Sequence, residues 1–277
     1  MRTTILLLFL CAVMCPATTL TDPFHQAQGC TYSYTSPYDG GCDVIGNEAN
    51  YDIQKVSLTI TGTTATVQLY FNSGAATAGS PLGSFTDAGD TLIVGDLFFY
   101  NPNTPYDPST PALAGSTAAD LTYAVPLDTV SRSGLSAGAL YSVSTSEEAD
   151  SAVGPGHPVT SGSYYRQDET VLMTGGTKVS NGTGVTVANF GNGTTSAAYV
   201  VTVSFQTTSA FLTSVENSGG QIGILFSSAD CANDVIQGVV NTTVPEPQSM
   251  VLIAGGLGLL IGVGAWRRRT TRKSQAV

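Results

Sequence analysis

The chain has 277 residues, among them 31 glycines, 10 basic and 20 acidic side chains, for a net charge of −10. Between residues 18 and 244 the imbalance is steeper, with only Lys55, Arg132, Arg166 and Lys178 against nineteen Asp and Glu, a net −15. So acidic a surface repels phosphate and excludes nucleic acid as a partner, and two histidines with no C-x-x-C pair leave no common zinc site.

Residues 1–17 begin with Arg2, continue through an apolar run from Ile5 to Met14 and end in small residues at Ala17. This is the pattern of a secretory signal peptide cut after Ala17. Residues 18–244 then form the exported domain. Three of its residues are cysteines, Cys30, Cys42 and Cys231. Export favours a disulfide. Cys42 opens Cys-Asp-Val-Ile-Gly and Cys231 opens Cys-Ala-Asn-Asp-Val-Ile-Gln-Gly, so both ends of the domain carry similar strand starts. A Cys42–Cys231 bond would tie first strand to last, and the alternative, Cys30–Cys42, would close a short local loop.

The body reads as short strands separated by turn chemistry. Val56, Leu58 and Ile60 alternate with polar residues, Gly62 marks a turn, and Val67, Leu69 and Phe71 alternate again, which predicts a hairpin with one buried face. Further strands are predicted at Leu92–Val94, Leu97–Tyr100, Leu121–Leu127, Ala139–Val143, Val171–Met173, Val185–Ala188, Tyr199–Phe205, Gln221–Phe226 and Val235–Val240. One helix is predicted at Ser209–Asn217, stopped by Gly219 and Gly220. The fold class is therefore all-β, a single β-sandwich with jelly-roll-like winding.

Few residues carry a chemical signature. Gly134-Leu135-Ser136-Ala137-Gly138 matches G-x-S-x-G, but a nucleophile elbow needs a strand turning into a helix, and the flanks here read as loop and strand. No catalytic residue is assigned. No cofactor motif is present either, and calcium is the one ion that the acidic turns at Asp39 and Asp43 and at Asp87, Asp90 and Asp96 would suit, against their reading as solvated turn residues. Tyrosines at 32, 34, 38, 100, 106, 164 and 165 could stack on sugar rings, and paired carboxylates could cut them, so an extracellular carbohydrate-binding or glycan-hydrolysing domain is the alternative to a structural or adhesive one.

The last segment, residues 245–273, has three parts in fixed order: Pro245, Glu246 and Pro247; an uncharged apolar run from Ser249 to Trp266; and Arg267, Arg268, Arg269, Arg272 and Lys273. As a helix, eighteen residues span roughly 27 Å, close to the roughly 30 Å core of a bilayer. One C-terminal transmembrane helix is therefore predicted, with Arg267, Arg268 and Arg269 as the stop-transfer cluster on the cytoplasmic side. The two prolines keep the preceding stretch extended and accessible.

This order resembles the PEP-CTERM sorting domain, through Pro245, Glu246 and Pro247, the glycines at 255, 256, 258, 262 and 264, and the arginine trio. The resemblance implies an exosortase-like membrane enzyme as partner, processing near the motif, and delivery through the inner membrane to the surface or extracellular matrix of a Gram-negative bacterium. A structural or adhesive role in matrix or biofilm would follow, with extracellular polysaccharide as a further partner.

Overall fold

The computed structural model of the chain describes residues 17–21, 52–72, 82, 85–87, 90–103, 121–128, 134–148, 170–189, 198–228 and 234–242. The chain separates into two units, Met1–Val244 and Pro245–Val277, and every element below belongs to the first. Two antiparallel sheets dominate it.

The first sheet contains β1 (Thr18–Thr21), β2 (Ile53–Thr61), β3 (Thr64–Asn72), and later in the chain β10 (Gly182–Asn189) and β11 (Ala198–Gln206), in the order β1-β2-β3-β11-β10. β2 and β3 form the predicted hairpin, with Thr61 paired to Thr64 across Gly62 and Thr63. In β3, Ala65, Val67, Leu69 and Phe71 are buried while Thr66, Gln68 and Tyr70 lie half-buried on the other face. Burying each Val, Leu or Phe is worth about 1.5–3 kcal/mol. A one-residue slip would turn all four buried residues outward, so the alternation fixes the register.

Between the sheets in chain order lie β4 (Phe85–Asp87) and β5 (Asp90–Leu92), a small separate hairpin. The second sheet contains β6 (Leu97–Tyr100), β7 (Leu121–Val125), β8 (Leu140–Glu148), β9 (Thr170–Ser180), β12 (Gln221–Ser227) and β13 (Val235–Asn241), in the order β13-β12-β6-β7-β8-β9. Its inner side meets the first sheet in one core, where the Phe71 and Phe226 rings stand 5.1 Å apart and those of Phe99 and Phe205 5.8 Å apart. The helix α1 (Ser209–Asn217) caps this core, inserting Phe211 and Val215. Thr208 accepts the Phe211 N–H at its start, and Gly219 and Gly220, both at positive φ, end it.

All four residues of β6 are buried, as a continuous apolar run predicts for a strand covered on both faces. Leu97 and Phe99 join the inter-sheet core, whereas Phe98 and Tyr100 belong to a second cluster with Tyr141, Met173 and Leu225. The β8–β9 ribbon supplies part of that outer cover. β9 lies three strands from β6, about 14 Å in a flat sheet, yet the Met173 N–H reaches Oδ2 of Asp96, the residue before β6, at 2.7 Å. The Asp96 N–H in turn donates to the Val171 carbonyl at 2.8 Å. The ribbon must therefore bend back over its own sheet. Register shifts between Val143 and Ser146, opposite Gly175 and Gly176, mark where it does so.

The sandwich is closed on both sides. β1 pairs with β2 and leans across to β13, its Leu20 covering Gly238 and the Thr18 hydroxyl donating to the Asn241 carbonyl. On the opposite side the chain passes from β9 to β10 through Asn181, where a Cβ on Gly182 would collide with the Gly138 carbonyl.

The all-β expectation stands, but jelly-roll-like winding is not what the strand order shows. A jelly roll sends most consecutive strands to opposite sheets. Here tight hairpins keep neighbours together, and among the described strands the chain changes sheet only between β3 and β6, β9 and β10, and β11 and β12. Among the described residues no helix is long and apolar enough to cross a membrane. The span expected at Ser249–Trp266 and, apart from Ala17, the signal peptide expected at residues 1–17 lie outside them.

Candidate functional site

The structure describes only part of the aspartate set that invites a calcium reading. Asp87 and Asp90 pair across the β4–β5 hairpin, while Asp39 and Asp43 lie outside the described residues. Asp96 is fully buried and uses its carboxylate on backbone: Oδ2 accepts from Met173 and Oδ1 from the Leu127 N–H at 3.4 Å. Among the described residues no three His, Cys, Asp or Glu side chains converge as metal ligands would.

Asp234 is a second inward carboxylate, which sequence reading missed. Its Oδ2 accepts the Ile53 N–H at 2.5 Å and its Oδ1 the Val235 N–H at 2.8 Å, so it joins the start of β13 to the start of β2. Nothing local distinguishes it from a solvated turn aspartate, because its main partner is 181 positions away.

Gly134–Gly138 forms a turn leading into β8, with the Ser136 N–H donating to the Tyr141 hydroxyl at 2.8 Å and the Gly138 N–H to the Pro126 carbonyl at 2.7 Å. A strand follows it, so the elbow geometry is absent. Of the tyrosines proposed for sugar stacking, Tyr100 is buried with its ring pressed over Gly223, and the other six lie outside the described residues.

Where β6 ends, β12 begins and α1 terminates, the surface opens into a cavity of about 250 Å³. Phe99, Tyr100, Tyr123 and Ile222 form its apolar wall, and Asn101, Asn103, Thr122, Ser214, Asn217 and Gln221 its polar part. The Asn101 Oδ1 accepts the Asn103 N–H at 2.9 Å and the Ser218 hydroxyl at 3.4 Å, which ties the end of β6 to the end of α1. Gln221 Nε2 donates to Asn241 Oδ1 at 3.0 Å. Burial raises the Tyr123 phenol above its ordinary value, with a smaller opposing effect from its hydrogen bond to Thr208. Amides and hydroxyls of this kind bind through hydrogen bonds and do not exchange protons near neutral pH.

The outer face of the first sheet is chemically plain. Thr59, Thr66, Gln68, Thr202, Ser204 and Thr186 stand on it across four strands, with Lys55 the one charged residue among the sheet's members, its ammonium 4.3 Å from the centre of the Tyr70 ring. The Thr66 and Ser204 hydroxyls bond to each other at 2.8 Å.

The residues that the sequence singles out for sorting, Pro245, Glu246 and Pro247 with Arg267, Arg268 and Arg269, lie outside the described residues, as do Cys42 and Cys231. The assignment of the six sorting residues rests on sequence comparison. A family model described as the PEP-CTERM protein-sorting motif matches residues 243–269. The chain carries a PEP-CTERM sorting motif. No curated protein and no solved structure matches the chain. The PEP-CTERM match begins directly after Thr242, where the description of the sandwich ends, and includes all six sorting residues. A PEP-CTERM motif implies export, processing by exosortase, a membrane enzyme, and sorting to the cell surface.

Proposed function

We propose that the protein is a surface or extracellular-matrix component, exported through a signal peptide, held in transit by the apolar span Ser249–Trp266 with Arg267, Arg268 and Arg269 behind it, and handed to exosortase through Pro245, Glu246 and Pro247. Its β-sandwich then serves as a structural or adhesive module without catalysis. The observation that carries this reading is the sorting-motif match at residues 243–269. β13 ends at Asn241, four positions before Pro245, so a cut at the motif leaves every strand of the sandwich intact. A charge-poor outer sheet on a strongly acidic domain suits contact with uncharged matrix better than contact with anionic polymers.

Intact mass and terminal sequencing of protein recovered from its native host test this. The wild-type chain should begin at Thr18 and end near the motif, and replacing Pro245, Glu246 and Pro247 by alanine should leave the C-terminus uncut. A wild-type chain that still ends at Val277 would refute sorting and leave a simple membrane-anchored domain.

A further inference from the structure

We propose that the cavity between the end of β6, the start of β12 and the C-terminal end of α1 is a binding site for one uncharged sugar unit of a neutral polysaccharide. This deepens the adhesive reading and rests on it. At about 250 Å³ the cavity falls just below the roughly 300–1,000 Å³ typical of small-molecule sites. That is room for one ring.

The lining decides the chemistry of the occupant. Asn101, Asn103, Asn217 and Thr122 stand exposed at the cavity, offering amide donors and acceptors and a hydroxyl. Tyr123 and Ile222, themselves largely buried, contribute apolar lining. A pyranose has the same division, with hydroxyls on its rim and C–H groups on its face. None of the described lining residues is charged, so these residues offer no ion pair to a sulfate, a uronate or an amine. The surrounding domain, at net −15, would further repel an anionic polymer. Small apolar ligands fit worse, because they would strip water from the exposed amides without replacing their hydrogen bonds.

One of these amides is also held in place. Asn101 is fixed by the Asn103 N–H and the Ser218 hydroxyl, which spares the ordering cost that loose side chains impose on binding.

The test is affinity electrophoresis of the full-length chain in a zwitterionic detergent without sugar headgroups, in gels containing dextran, galactomannan or alginate. Retardation by dextran or galactomannan and not by alginate is expected. N103A/N217A should weaken it about tenfold or more, the scale of two lost hydrogen bonds, with an unchanged melting temperature. Thr122→Trp, which fills the cavity from an exposed position, should do the same without removing an amide. No retardation in either neutral gel, retardation by alginate alone, or retardation that survives both variants would overturn the proposal. Sorting near Pro245 is read by terminal mass, so either conclusion can fail without the other.

Discussion

The backbone N–H of Met173 donates to the buried carboxylate of Asp96 at 2.7 Å, a bond between the start of β9 and the residue that precedes β6. The same carboxylate accepts from Leu127. It therefore fastens the bent β8–β9 ribbon over the outer side of the sheet, where Phe98, Tyr141 and Met173 are buried together. Asp96→Ala would strand two buried N–H groups at about 1–3 kcal/mol each. We expect a loss of about 3 kcal/mol in urea unfolding and faster hydrogen exchange at Met173. Asp96→Asn keeps one acceptor and should lose roughly half as much. A loss below about 1 kcal/mol for the alanine variant would show that other contacts hold the ribbon.

Two glycine substitutions should differ in cause and size. At Gly182 an added Cβ meets the Gly138 carbonyl, and Gly138 is itself at φ +78° and cannot move aside freely. Overpacking of backbone against backbone costs about 1–3 kcal/mol or more, and Gly182→Ala should sit at the top of that range. Gly62→Ala enters open space at φ +59°, so it carries only the left-handed backbone penalty of about 1–2 kcal/mol. Equal melting-temperature shifts for the two variants would contradict the close approach of the β9–β10 corner to the turn before β8.

What could be read from the sequence was what is local. Val67, Leu69 and Phe71 announce β3 by their spacing, and the helix at Ser209–Asn217 is bounded by its own cap and glycines. The sorting motif is likewise a linear signal. β1 was missed because Thr-Thr-Leu-Thr offers a single apolar residue, and its strand character comes from pairing with Lys55–Leu58. Asp96 invited a calcium reading because its partners, 31 and 77 positions away, are invisible in a local window. The cavity is unreadable for the same reason, since Asn103 and Asn217, far apart in the sequence, come to line one cavity only in the folded chain.

Stability should fall at alkaline pH through Tyr123. Its phenol is buried, and that burial holds its ionisation above the ordinary value of 10.0, outweighing the Thr208 hydrogen bond that works the other way. Below pH 10 the phenol is protonated in folded and unfolded chains alike, and its contribution is complete. Above that, the unfolded chain releases the proton first, so stability drains as pH rises toward the folded-state value. Tyr123→Phe should flatten the decline above pH 10, while losing about 1 kcal/mol at neutral pH with the hydrogen bond. Parallel pH profiles for the two proteins in chemical denaturation would remove Tyr123 as the cause.

The cysteine pairing can be decided by both connectivity and stability. Asp234 Oδ2 bonds the Ile53 N–H at 2.5 Å, so the entry to β13 and the entry to β2 are neighbours. Cys231 precedes Asp234 by three positions and Cys42 precedes Asp52 by ten. At about 3.3 Å per extended residue these tethers reach roughly 10 Å and 33 Å, ample for the 4.4–6.8 Å Cα separation that a disulfide requires. Chain length therefore permits the Cys42–Cys231 clasp we propose. Loop-closure estimates give about 5 kcal/mol for this link and about 3 kcal/mol for Cys30–Cys42. Non-reducing peptide mapping should recover Cys42 joined to Cys231, and Cys231→Ser should destabilise the domain by about as much as reduction does. A Cys30–Cys42 peptide, with Cys231→Ser leaving stability unchanged, would place the bond in the local loop and leave Asp234 as the tie between the two strand entries.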